Sequence, residues 1–163
     1  MFHVAPRINA AGRINHANKA LKLIMSTNQQ ESDQLSNELE LLNSKRKLLE
    51  KEMTEEAVSQ AEQSKNKSSI VVYSSNWNKG VIGIVASRLV DKFYKPTAVF
   101  TDSSNGMLSA SLRSVKEIDL KIVLESCSHI LEQHGGHKYA AGLIIKNENL
   151  AILIILALGS KFL

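Results

Sequence analysis

Aromatic side chains are scarce in this chain, with one Trp, three Tyr and four Phe among 163 residues. Stacking on nucleobases can therefore involve only a few bases. Cysteine is scarcer still. Cys127 alone excludes an internal disulfide framework, and its place in the apolar series Leu120, Val123, Leu124, Cys127, Ile130, Leu131 predicts a buried thiol, not a nucleophile. Aspartate is limited to Asp33, Asp91, Asp102 and Asp119, each isolated, and neither Asp-His-His nor Asp-x-Asp occurs. Hard divalent cations need clustered carboxylates, so no metal site and no catalytic residue are expected here. His134 and His137 are three apart, but the glycines between them argue against the helical turn that would bring them together. The longest apolar run, residues 150–158, is too short to span a bilayer. No membrane partner is expected. The amino end lacks the apolar core of a secretory signal, so a cytoplasmic location is the expectation.

What is present is positive charge, unevenly spread. The net charge is +4, yet residues 31–65 carry nine acidic and five basic side chains. The remaining segments carry fifteen basic and seven acidic groups. That balance suits a polyanion such as a nucleic-acid backbone, and it equally suits ordinary solubility.

Three segments concentrate groups that bind anions. In Gly135-Gly136-His137, followed by Lys138, two glycines let backbone N–H groups approach a ligand, and the next two side chains add donors and charge. A phosphate fits that chemistry best. In residues 109–114 a strand-like alternation puts Ser111 and Arg113 on one face, with Ser114 just beyond. Arg113 offers a bidentate fork and the hydroxyls of Ser111 and Ser114 add neutral donors. A plain edge strand with a solvated arginine is the competing reading. In residues 5–13, Pro6 and Gly12 bracket a compact loop that carries Arg7, Asn9 and Arg13. Lys79 lies where a strand's carboxyl end should meet a helix's amino end, another natural anion site. Its neighbour Trp77 could stack on a base or sit in the core.

Periodicity outlines the elements. A short helix is predicted over residues 16–25 and a long one over 31–63, where Leu35, Leu39, Leu42, Leu49, Met53 and Ala57 recur at helical steps and Arg46 interrupts. A coiled-coil seam would be weak with that arginine in it, so a spacer helix is the better reading. Residues 64–69 read as a polar linker. Strands at 70–73 and 97–101 flank a helix at 80–94, which argues for parallel pairing. A strand at 107–113, a helix from Asp119 to about 133, a Gly-Gly-His loop and a last strand at 139–145 complete the pattern. The expected fold class is α/β: a long connecting helix followed by a mixed sheet with packed helices.

The segments Ala5-Pro6-Arg7-Ile8-Asn9-Ala10-Ala11-Gly12-Arg13, residues 80–100, residues 109–114 and residues 135–142 occur in an order that resembles the DHH/DHHA1 phosphoesterases. The likeness is specifically to the RecJ-type single-strand DNA exonucleases, which are hydrolases of DNA repair and recombination. The resemblance implies four parts: a junction over 1–30 with the Asn-Ala-Ala-Gly-Arg motif and a short helix, a connecting helix over 31–65, a DHHA1-like substrate-binding domain over 66–146, and an atypical apolar tail over 147–163. By the same resemblance, Arg113, Ser111 and Ser114 grip a substrate phosphate and Gly135, Gly136 and His137 contact the phosphate nearest the metals. Asn9 and Arg13 would lie near a cleft between domains. The implied partners are single-stranded DNA and a DHH catalytic domain. That domain's Mg²⁺ or Mn²⁺ would be bound outside this chain, which is expected to be inactive alone. A DHHA1 module can also serve an oligoribonuclease or a cyclic-dinucleotide phosphodiesterase, or bind nucleic acid without catalysis.

Overall fold

The computed structural model describes residues 4–14, 17–63 and 66–151. The chain divides into two compact units, Met1–Glu52 and Met53–Leu163, with the boundary inside a helix. The apolar tail beyond residue 151 and His16, the expected start of the short helix, lie outside the described residues.

The first unit is helical. Helix α1 covers Ala5–Ile14 and helix α2 covers Asn18–Met25. Helix α3 covers Gln29–Glu62, and its first part belongs to this unit. Asn28 caps α3, its Oδ1 accepting from the Glu31 N–H at 3.2 Å. Ala11, Ala20 and Leu39 form a small core, with Ile8, Leu23 and Leu42 packed around it. Ion pairs tie the shorter helices to α3, Arg7 to Glu40 and Lys19 to Glu38, the latter at 2.6 Å. The expected arginine-rich loop over residues 5–13 is thus a helix. Pro6 sits in its first turn, where a missing N–H costs nothing, and Gly12 is tolerated near its end.

The second unit is a five-stranded mixed sheet with helices packed on both faces. Its strands are β1 (Ile70–Tyr73), β2 (Thr97–Asp102), β3 (Met107–Arg113), β4 (Gln133–His137) and β5 (Ala140–Lys146), in the order β1-β2-β3-β5-β4. Only β1 and β2 pair in parallel, joined by helix α4 (Ile82–Phe93), as the βαβ spacing requires. The other pairs are antiparallel.

Alternation along the strands makes two faces. One carries Ala98, Phe100, Leu108, Ala110, Leu112, Ala141, Leu143 and Ile145 and packs against Leu120, Leu124 and Cys127 around helix α5 (Leu120–Ser126). The other is covered by α4 over β2 and β3, with Ile82, Val85, Ala86 and Leu89 buried. Asp119 caps α5 as expected, its carboxylate accepting from the Lys121 N–H at 2.9 Å. The helix stops well short of residue 133, because Ser126, Cys127 and Ser128 are poor helix formers and the chain tightens into a 3₁₀ turn at Ser128–Ile130.

The last turns of α3 belong to this unit. Met53, Ala57 and Ala61 are buried at four-residue steps. The Gln60 amide donates to the Tyr73 carbonyl at 3.0 Å and accepts from the Tyr73 N–H at 3.1 Å, pairing with the outer edge of β1 as a neighbouring strand would. No described helix is long and apolar enough to cross a membrane.

Candidate nucleic-acid interface

Register places the expected anion-binding groups in two rows across the sheet. Ser111 on β3 pairs with Gly142 on β5, which pairs with Gly135 on β4. One step along, Arg113 pairs with Ala140, which pairs with His137. These residues occupy the α4 face. Beyond β3, however, α4 no longer covers the sheet. Gly142 and Ala140 are half-buried, and Gly135 and His137 are exposed. The result is a shelf of small residues bounded by Ser111 and Arg113 on one side and His137 on the other.

Arg113 is held in place at the border of that shelf. Its Nη1–H groups donate to the Leu112 carbonyl at 2.7 Å and to Ser111 Oγ at 3.2 Å. The first turn of α4 presses on the same pair. A Cβ added to Gly83 would stand 3.0 Å from Ser111 Oγ and 3.2 Å from Arg113 Nη2. Only a residue without a side chain lets the helix start approach this closely, and it brings the positive end of the helix dipole beside the guanidinium. Sequence reading overlooked Gly83. Its signal is a second glycine three residues after Gly80, in a segment otherwise apolar.

The Gly-Gly-His segment is a strand, not the expected loop. Residues 133–137 pair with β5 over their whole length and leave a two-residue hairpin at Lys138-Tyr139. The two glycines differ. Gly136 has φ +153°, and a Cβ there would fall 2.4 Å from Ala141 Cα and 2.5 Å from the Ala140 carbonyl oxygen, so the fold itself demands glycine. A Cβ on Gly135 would meet nothing within 4 Å. Its lack of a side chain keeps the shelf open and serves no packing need. His134 and His137 lie on opposite faces of β4.

The other expected residues are placed differently. Ser114 lies just past β3, where its hydroxyl donates to the Ile118 carbonyl at 3.0 Å. Lys79 is exposed in the turn that leads into α4. Trp77 is buried, only 5% exposed, and its indole N–H donates to Glu56 Oε2 at 2.7 Å, so it belongs to the core. Asn9 and Arg13 are exposed on α1, four residues apart and hence on one helix face, in the first unit. The register brings Ser111, Arg113, Gly135 and His137 together. Among the described residues, no three His, Cys, Asp or Glu side chains lie close enough to hold a metal ion. The described donors therefore do not fit Mg²⁺ or Mn²⁺, and what the shelf can do chemically is bind an anion.

Residues 66–158 match the family model described as "DHHA1 domain". The single-stranded-DNA-specific exonuclease RecJ of Bacillus subtilis is 42% identical over 150 residues, which is 91% of this chain and 19% of that protein. RecJ of Thermus thermophilus is 36% identical over 141 residues, 86% of this chain and 20% of its own length. The crystal structure of the Thermus protein in complex with Mn²⁺ superposes with a TM-score of 0.88 at 32% identity, over 97% of this chain and 23% of that one. Its complex with Mg²⁺ gives 0.87. The chain thus spans about a fifth to a quarter of the length of these relatives. Its matched domain and its fold agree: the chain belongs to the DHHA1 family, in the form carried by the RecJ exonucleases.

Proposed function

We propose that this chain is the substrate-gripping portion of a RecJ-like 5′→3′ exonuclease and binds the phosphate backbone of single-stranded DNA on the shelf beside β3. The observation that carries the reading is the double row Ser111–Gly142–Gly135 and Arg113–Ala140–His137, open above and flanked by the start of α4. Arg113 supplies a fixed positive fork, Ser111 a hydroxyl, and the glycines a floor that lets a nucleic-acid backbone lie close. Arg113 and His137 stand two strands apart, about 10 Å, so they mark a track for successive groups of a chain and not a single point. Ser114 and Lys79, in the same unit, are assigned secondary roles, and Asn9 and Arg13 on α1 of the first unit are assigned a role in substrate binding of their own.

The metal-dependent hydrolysis is assigned to a DHH domain outside these 163 residues. The relatives' greater length and the poor fit of the described donors to a divalent cation support that division. An assay with 5′-phosphorylated, end-labelled single-stranded DNA tests it. In the presence of a chelator the chain should retain the oligonucleotide, and with added Mn²⁺ it should leave it uncleaved. Metal-dependent release of nucleotides by a pure preparation would overturn the division of labour. An RNA oligonucleotide held tighter than DNA would favour the oligoribonuclease alternative.

A further inference from the structure

Gly83 is the second residue of α4, and the nearest atoms a Cβ there would meet all belong to two side chains of the shelf. It would stand 3.0 Å from Ser111 Oγ, 3.2 Å from Arg113 Nη2 and 3.8 Å from Ser111 Cβ. No backbone atom is among these neighbours. At Gly136, by contrast, the β5 backbone fills the space, and the fold itself requires glycine. Glycine within a helix is less stable than alanine, because it loses more backbone freedom on folding. Position 83 thus carries a residue that its own helix disfavours, and the missing side chain leaves room for Ser111 and Arg113.

The helix start is not free to retreat. Val81 and Ile82, directly before Gly83, are buried. The Asn78 carbonyl accepts from the Val81 and Ile82 N–H groups at 2.9 and 3.2 Å. The Ser87 hydroxyl donates to the Gly83 carbonyl at 3.1 Å. Ser111 and Arg113 are only half-buried, and their polar ends swing about single bonds. A methyl at position 83 therefore displaces the hydroxyl and the guanidinium. That breaks the bonds from Arg113 Nη1 to the Leu112 carbonyl and Ser111 Oγ, which fix the fork.

We propose that Gly83 is a positioning residue of the phosphate grip, reserving the space in which Ser111 and Arg113 are set beside the shelf. This rests on the shelf proposed above and adds a requirement that the shelf alone does not impose. An arginine and a serine on β3 could bind a phosphate whatever residue the helix carried, whereas a fork held in one place depends on position 83.

The test compares wild type, Gly83→Ala, Arg113→Ala and the double substitution in the full chain. Urea unfolding reads stability, and fluorescence anisotropy reads binding of 5′-phosphorylated single-stranded DNA across salt. Gly83→Ala is expected to keep or raise the urea midpoint and yet weaken binding about tenfold, the usual effect of losing one hydrogen bond to a charged group. The salt dependence should become shallower, as one phosphate contact is lost. Added to Arg113→Ala, the same substitution should cost little more, since the group it displaces is already gone. Wild-type affinity for Gly83→Ala beside weak binding by Arg113→Ala would overturn the positioning role and leave the shelf standing. Losses that multiply in the double variant, or a lowered urea midpoint, would overturn it by assigning the glycine to the fold. If neither single substitution weakens binding, the shelf itself falls and Gly83 with it.

Discussion

At the scale of single residues, the two glycines of the Gly-Gly-His segment separate what packing demands from what the proposed grip demands. Gly136→Ala drives a methyl into the β5 backbone and should destabilise the second unit by about 1–3 kcal/mol, read from urea unfolding. Gly135→Ala should leave stability within about 0.5 kcal/mol, because its new methyl meets open space, yet weaken DNA binding by obstructing the shelf. If Gly135→Ala binds DNA as well as wild type, the shelf is not where the backbone lies. Cys127 behaves as its apolar neighbours suggest. Burial raises its thiol above the ordinary value, so little thiolate is present at neutral pH. A thiol reagent should modify the native protein far more slowly than the urea-unfolded one. Equal rates would mean that the α5 side of the core opens readily.

At the scale of elements, the outcome followed how local the signals were. β1, α4, β2 and β3 were legible because alternating or helical apolar patterns coincide with burial on one face or both. Pro6 and Gly12 misled because each is tolerated at its own place in α1, and the partner that stabilises the helix, Leu39, lies far along the chain. Gly135 and Gly136 misled for a related reason. Strand β4 owes its existence to pairing with β5 and not to its own propensity, which two glycines lower. The approach of Gly83 to Arg113 is a tertiary fact that no local pattern carries.

Elements are also where two side-chain contacts can be tested. Gln60→Ala removes both bonds to the Tyr73 backbone and should cost about 1 kcal/mol in a urea titration, with the β1 amides exchanging faster. In the first unit, the Lys19 ammonium holds the Glu38 carboxyl below its ordinary value, through a hydrogen bond and its charge. A lowered acid stabilises the fold above its unfolded value, and that contribution disappears as the pH falls through the lowered folded one. Wild type should therefore melt above Glu38→Gln at neutral pH and lose that advantage in acid. A gap that persists in acid would assign the effect to packing.

At the scale of the whole molecule, the chain joins a helical unit to a sheet unit, and positive charge outweighs negative outside residues 31–65. Charge of this kind supplies affinity without reading sequence, and it makes binding depend on salt through the release of counterions. In the proposed reading, geometry then decides where a polyanion rests. The register of β3, β5 and β4 puts a fixed arginine, a hydroxyl and an open glycine floor on one face of the second unit. The measurement that tests this most directly is a fluorescence-anisotropy titration with 5′-phosphorylated single-stranded DNA at several salt concentrations, wild type beside Arg113→Ala. The expected result is salt-sensitive binding that the substitution weakens, with a shallower dependence on salt. Folded wild-type protein that does not bind, or binding that Arg113→Ala leaves unchanged at every salt concentration, would contradict the shelf as the substrate grip.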